Sequence, residues 1–308
     1  MTKVFIDGSA GTTGLRIVER LENREDIELI ILPDEHRKDI NKRAEAANSA
    51  DIVFLCLPDA AAIEAVENIT NPNTCVIDTS TAHRTNPLWT YGFPEIIGKE
   101  NIKNSKRIAN PGCHASGFIA LIKPLISAGI LKDSANLVCH SITGYSGGGK
   151  GMIAQYEVEN GDILLSAPRQ YGLTQQHKHL KEMKEITTIQ NSPAFCPIVS
   201  NFYSGMEVTI PIFKSDIKGD IENIKKVYKD YYKDGLVHFV PNASEDGFLS
   251  ANAYSGFDDM EITVCGNEDR ILLIARYDNL GKGASGSAIQ NMNLVLGVRE
   301  EIGLNLKF

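Results

Sequence analysis

Lys3-Val4-Phe5-Ile6-Asp7-Gly8-Ser9-Ala10-Gly11-Thr12-Thr13-Gly14 sets the fold class. An apolar run of strand length leads into a turn with three glycines. Gly14, Val18 and Leu21 then fall on one face of a helix over Gly14 to Leu21. Glycines at this place let the backbone approach a pyrophosphate, and the following helix N-terminus points its N–H groups at it. The spacing here is Gly-x-x-Gly-x-x-Gly rather than the commoner Gly-x-Gly-x-x-Gly, with the physics unchanged. Gly8, Ser9, Ala10, Gly11, Thr12, Thr13 and Gly14 are therefore candidate dinucleotide-binding residues.

Working outward, strand and helix patterns alternate. Leu29–Leu32 reads as a strand stopped by Pro33, and Ile40 to Asn48 as a polar helix. Ile52–Leu57 is a continuous apolar run, the pattern of a strand covered on both faces. An Ala-rich helix follows from Ala60 to Val66, then a strand at Cys75–Asp78. This βαβαβ succession predicts a Rossmann-type, doubly wound parallel sheet. Beyond Leu125 strand patterns dominate, at 137–142, 206–213, 236–240, 261–264 and 271–275, and they predict an α+β domain with a mostly antiparallel sheet. Helical spacing returns over Ala284 to Val298. Asp34 follows the second strand, where an acid would take a ribose hydroxyl. Arg37 and Lys38 stand close behind and would suit a 2′-phosphate, and the residues leave the choice open.

With 308 residues, the length prior of about 150 per domain predicts two domains. A net charge of −8 with scattered Lys and Arg argues against nucleic-acid binding. No apolar run approaches the ~20 residues of a membrane span. The first residues lead straight into a strand pattern, which leaves no room for a signal peptide and predicts a cytoplasmic protein. The six cysteines include no Cys-x-x-Cys pair, so no metal site is expected. Cys56, Cys75, Cys139 and Cys265 lie in strand-like runs and read as buried residues.

Cys113 differs from these. It follows Asn110-Pro111-Gly112, a turn sequence, and precedes the apolar stretch Phe118-Ile119-Ala120-Leu121-Ile122. A thiol opening a helix feels the positive end of the dipole, which favours the nucleophilic thiolate. Two further clusters look chemical. In Gln176-His177-Lys178-His179-Leu180-Lys181-Glu182, a helical reading puts His177 with Lys181 and His179 with Glu182. A neutral His can exchange a proton with a reacting oxygen, and a carboxylate can fix its tautomer. The second cluster is Asp78-Thr79-Ser80-Thr81-Ala82-His83-Arg84, after a parallel-type strand, where Arg84 offers a planar fork for a carboxylate or phosphate.

Together these stretches resemble the short form of N-acetyl-gamma-glutamyl-phosphate reductase, in the aspartate-semialdehyde dehydrogenase-like superfamily. Tyr91-Gly92-Phe93-Pro94-Glu95, Gly144-Tyr145-Ser146-Gly147-Gly148-Gly149-Lys150 and Asp278-Asn279-Leu280-Gly281-Lys282-Gly283-Ala284-Ser285-Gly286 extend the likeness over nearly the whole chain. The resemblance implies NADPH-dependent reduction of a small-molecule acyl phosphate, N-acetyl-L-glutamyl 5-phosphate, through a thioester on Cys113, in arginine biosynthesis. His177 carries the acid/base role, with His179, Glu182 and His114 as further acid/base or orienting candidates. Lys178 stands where the family has Arg, and His114 where the long form has Tyr; His114 ranks below His177. Ser80, Arg84, Asn110 and Lys178 are implied in substrate binding, and Gly283 and Ser285 at the nicotinamide half. An NADP-binding domain of 1–114 with 284–308, a catalytic and oligomerisation domain of 115–283, and a homodimer or homotetramer complete the expectation. The rival readings are a reductase of another acyl phosphate, like aspartate-semialdehyde dehydrogenase, and a non-catalytic NADP(H)-binding sensor.

Overall fold

The computed structural model describes all 308 residues, and the chain divides into two compact units. The first holds Met1–Gly112 and Ala284–Leu304, the second Cys113–Gly283 and Asn305–Phe308. The boundaries thus depart slightly from expectation. Cys113 and His114 belong to the second unit because they begin its first long helix. Residues 305–308 belong there because the N–H groups of Asn305, Lys307 and Phe308 donate to the buried carboxylates of Asp258 and Asp259.

In the first unit the elements run β1 (Thr2–Asp7), α1 (Thr12–Leu21), β2 (Ile27–Ile30), α2 (Ile40–Ser49), β3 (Ile52–Leu55), α3 (Asp59–Glu67), β4 (Cys75–Asp78), β5 (Thr90–Tyr91), α4 (Pro94–Ile97), α5 (Lys99–Lys103) and β6 (Arg107–Ala109). All six strands are parallel, in the order β2-β1-β3-β4-β6-β5. The apolar runs explain this. Ile52–Leu55 is buried at every position, as a strand covered on both faces must be. Ile17 and Leu21 of α1 cover one face together with Ala288, Ile289 and Met292 from the helix 286–296. Ala46, Ala47 and Ala62 of α2 and α3 cover the other. The order of the strands reverses between β1 and β3, and the switch point opens at their C-terminal ends. The second strand pairs two residues earlier than expected. Thr2 faces Ile27, so Leu32 is left outside the ladder.

The second unit begins with α6 (Cys113–Ser127) and continues with β7 (Val138–Gly144), α7 (Gly149–Tyr156), β8 (Arg169–Gln170), α8 (His179–Thr187), β9 (Ala194–Ser200), β10 (Met206–Phe213), α9 (Ile221–Tyr231), β11 (Val237–Phe239), β12 (Met260–Gly266) and β13 (Arg270–Tyr277). Its sheet runs β11-β12-β13-β10-β7-β9-β8 and is mostly antiparallel, with β11–β12 and β7–β9 parallel. Cys139, Ser141, Phe195, Val208 and Ile210 face the buried side. Their neighbours Ile142, Cys196, Ile198, Thr209 and Pro211 form a half-exposed face. The final helix α10 (Gly286–Leu296) returns to the first unit. Of the cysteines expected to be buried, Cys75 and Cys139 are, while Cys56 and Cys265 are partly exposed.

Candidate active site

The turn after β1 is built for close backbone approach. Gly8 has φ +86°, and a Cβ there would run into the carbonyl of Cys56, the residue that follows β3. A Cβ at Gly14 would run into the Gly8 carbonyl. Gly11 caps α1 at an ordinary φ of −74°, and its Cβ would sit 3.3 Å from the Gly8 oxygen. No acidic residue occupies the first turn of α1. A cradle that side chains would fill, facing free helix N–H groups at a switch point, fits a dinucleotide pyrophosphate. Arg37 and Lys38 are exposed beyond β2, and Arg37 pairs with Asp34 at 2.9 Å. Ser285, expected near the nicotinamide, is buried in this same unit.

The loop after β4 is tied down by buried hydrogen bonds. Asp78 is fully buried and gathers Ser80 Oγ at 2.7 Å and His83 Nδ1 at 2.6 Å. His83 stacks on Trp89 at 4.1 Å. Arg84 is buried, and its fork donates to the carbonyls of Asn110 at 2.9 Å and Thr79 at 3.0 Å. Asn110 donates to the Ala284 carbonyl and accepts from Asn291. Ser80, Arg84 and Asn110, expected to touch substrate, direct these polar groups at the protein itself. A buried polar group needs a partner; Ser80 finds its own on Asp78, while Arg84 and Asn110 tie down the turn before Cys113.

In the second unit Cys113 is the first residue of α6 and is partly exposed. Its carbonyl accepts from Tyr277, which itself accepts from the Gly117 N–H at 3.0 Å. A Cβ on Gly283 would lie 3.1 Å from the Cys113 Cβ, so glycine there leaves room beside the thiol.

Three histidines cluster by this helix. Ring centroids are 5.8 Å apart for His114 and His177, 5.6 Å for His114 and His179, and 4.7 Å for His177 and His179. Phe195 packs against His114 and His177. His177 lies before α8 rather than within it, so the expected pairing with Lys181 on one helical face does not form. Gly172 and Gln175 take positive φ, and the helix starts only at His179. His177 Nδ1 accepts the His179 N–H at 3.2 Å. The neutral ring then carries its proton on Nε2. Burial, aided by the Lys178 charge, pulls its pKa down to about 4. His179 and Glu182 are both buried, with Nε2 and Oε1 4.0 Å apart. Lys178 is exposed at the start of α8.

His114 is almost fully buried, with Nδ1 2.6 Å from Ser141 Oγ and Nε2 2.6 Å from the Tyr171 hydroxyl. Burial, with the neighbouring His177, pulls its pKa down to about 3. Both nitrogens are engaged and the ring stays neutral, which does not suit a proton carrier. Tyr171 and Ser141 carry no sequence signal of their own; only the fold brings them to His114.

Residues 3–105 match the family model of the semialdehyde dehydrogenase NAD binding domain, and residues 113–279 that of the semialdehyde dehydrogenase dimerisation domain. The chain is similar in fold to aspartate semialdehyde dehydrogenase II of Vibrio cholerae, with a TM-score of 0.71 at 17% identity over 96% of this chain and 98% of that one. It is likewise similar to the aspartate semialdehyde dehydrogenase of Francisella tularensis, with a TM-score of 0.72 at 15% identity over 96% of this chain and 100% of that one. It is 42% identical to N-acetyl-gamma-glutamyl-phosphate reductase 2 of Nostoc sp. (strain PCC 7120), covering 98% of this chain and 99% of that protein. It is also 42% identical to N-acetyl-gamma-glutamyl-phosphate reductase of Rhizobium meliloti (strain 1021), over 96% of this chain and 98% of that protein. At this identity over nearly the full length, the chain belongs to the N-acetyl-gamma-glutamyl-phosphate reductase family.

Proposed function

We propose that the protein reduces N-acetyl-L-glutamyl 5-phosphate to N-acetyl-L-glutamate 5-semialdehyde with NADPH, releasing phosphate, as a step of arginine biosynthesis. The observation that carries the reading is Cys113 at the first position of α6, partly exposed, with a histidine cluster beside that helix. The thiolate attacks the acyl carbon, and the C–O bond to phosphate breaks to leave a thioester. The chemistry supplied by the bound cofactor is hydride transfer to that acyl carbon. The resulting oxyanion on Cys113 collapses, the C–S bond breaks, and the aldehyde leaves as the thiolate re-forms.

The expelled phosphate takes up one proton as it leaves, whereas hydride addition and C–S cleavage need no net proton transfer. Those steps need a donor to the oxygen on which charge develops. His177, neutral with its proton on Nε2, suits that role better than that of a base. Lys178 offers its exposed ammonium to the anionic substrate. Gly8, Gly11 and Gly14 leave the space for the cofactor pyrophosphate at the start of α1. The half-exposed sheet face around Ile142, Ile198 and Pro211 supports a homodimer or homotetramer formed through it. No helix of the structure is long and apolar enough to cross a membrane.

The test is the reverse reaction. With N-acetylglutamate 5-semialdehyde, phosphate and NADP⁺, reduced cofactor should accumulate only when phosphate is present. Turnover of aspartate semialdehyde in preference would overturn the assignment in favour of a shorter substrate. No turnover of either, with cofactor binding intact, would favour a sensor.

A further inference from the structure

The hydrogen-bonded chain Ser141–His114–Tyr171 has no place in the mechanism above, yet its middle member is the residue that follows the nucleophile. Ser141 is on β7, His114 on the first turn of α6, and Tyr171 just after β8. The two contacts are both 2.6 Å. We propose that Tyr171 is a further hydrogen-bond donor to the acyl oxygen carried on Cys113, aligned for that task by His114 and Ser141. The proposal rests on the thioester reading above and adds to it a second donor beside His177.

The argument is one of hydrogen count. A neutral imidazole has one N–H and one lone pair. The chain therefore has two polarities. In one, Tyr171 donates to His114 and its proton is used up. In the other, Ser141 donates to Nδ1, Nε2–H donates to the phenol oxygen, and the phenol proton is free for a third group. In the second polarity each bond polarises the next, so the phenol donates more strongly. Burial and the nearby Cys113 sulfur raise the pKa of Tyr171, so the phenol keeps its proton. The backbone fixes the ring as well, since the Tyr171 N–H donates to the Pro197 carbonyl at 3.0 Å. His114 is then a positioning residue. This explains why a histidine in the first turn beside the nucleophile is buried and neutral instead of exposed and titrating.

The full-length protein tests this with Tyr171→Phe, Ser141→Ala, His114→Gln and His114→Leu. Loss of one preorganised donor to an oxyanion costs ~10²–10³-fold. Tyr171→Phe should therefore lower kcat ~10²-fold at near-unchanged KM, while iodoacetamide labels Cys113 at the wild-type rate. Ser141→Ala leaves the phenol in place but removes the donor that sets the polarity, and should cost ~10-fold. His114→Gln, whose amide both donates and accepts, should keep more activity than His114→Leu. Acetylation of Cys113 by p-nitrophenyl acetate, followed by mass spectrometry, needs neither acyl phosphate nor cofactor. It should slow in Tyr171→Phe whatever the natural substrate is. Wild-type kcat or wild-type acetylation in Tyr171→Phe overturns the proposal, as does parallel loss of kcat, labelling rate and Tm, which marks a structural role. Failure of the semialdehyde assay alone strikes the proposed substrate and leaves the acetylation result to judge Tyr171.

Discussion

The backbone N–H of His179 donates to Nδ1 of His177 across 3.2 Å. That one bond decides what His177 can do, because it leaves the ring proton on Nε2 and makes the neutral imidazole a donor. It also opposes protonation, since an imidazolium has no lone pair left on Nδ1 to accept the amide. Burial acts in the same direction.

The first prediction follows from the sign of that shift. The pKa of His177 is lowered to about 4, so the ring is neutral at all pH values above that. NMR titration of the His177 ring should show a midpoint well below the ordinary ~6.5 of histidine. His177→Asn should lose ~10²-fold or more in kcat. His177→Gln, which offers an amide N–H at a similar reach, should recover part of it. A midpoint near 6.5 would restore the general-base reading.

The second prediction ranks the glycines of the turn. Gly8 holds a positive φ beside the Cys56 carbonyl, and Gly14 abuts the Gly8 carbonyl. Gly8→Ala and Gly14→Ala should both lower Tm and weaken cofactor binding, because the backbone itself must move. Gly11→Ala has an ordinary φ and a looser approach. It should fold normally and raise the cofactor Kd alone, as seen by calorimetry against melting curves. Equal melting losses for all three would mean that the turn is uniformly tight.

The strand, turn and helix at residues 2–21 were legible because their signal is local: an apolar run, fixed glycine spacing and helical periodicity. The start of α6 at Cys113 was legible for the same reason, as a Pro-Gly turn before an apolar stretch. What escaped the sequence is non-local. Nothing near His114 announces Ser141 or Tyr171, which lie 27 and 57 residues away. Arg84 reads as an anion ligand because its type suits one, and only the fold shows that it also donates to the carbonyls of Asn110 and Thr79. His177 looked helical because its spacing to Lys181 is helical, while the loop before α8 overrides that pattern. The segment 144–151, despite its five glycines, is a 3₁₀ turn leading into α7.

A third prediction concerns stability at acid pH. The pKa of His114 is lowered to about 3 in the fold, whereas an unfolded histidine titrates near ~6.5. Between those values the unfolded chain binds the proton and the native state does not. Stability from this group is therefore complete above ~6.5 and falls as pH drops toward 3, by several kcal/mol in the limit. His114→Gln cannot titrate. Urea midpoints for wild type and His114→Gln should converge as pH falls from 7 to 4. Parallel curves would show that His114 is protonated in the native state at no extra cost.

The fourth prediction concerns assembly. Ile198 on β9 lies on the half-exposed side of the sheet, opposite the buried Phe195 side. If that face joins subunits, Ile198→Glu places a charge in an apolar interface and should shift the protein to monomer by light scattering, with its far-UV spectrum kept. An unchanged oligomer would move the interface to another surface.

The last prediction tests the choice of cofactor. Arg37 and Lys38 stand exposed beyond β2, on the side of the switch point where the adenine ribose lies in this fold class. Arg37 is paired with Asp34 at 2.9 Å, but both partners are solvent-exposed. Such a pair is worth about 0–1 kcal/mol, so a 2′-phosphate can readily displace the carboxylate. A bidentate charge-assisted contact with phosphate is stronger than the pair it replaces. Arg37→Ser with Lys38→Ser should therefore raise the Kd for NADPH ~10-fold or more and leave NADH nearly unchanged. Asp34→Asn should favour NADPH further, because it frees the guanidinium and removes a like charge from the phosphate. Equal losses for the two cofactors would place Arg37 and Lys38 on the pyrophosphate instead, and no loss for either would take them out of the site.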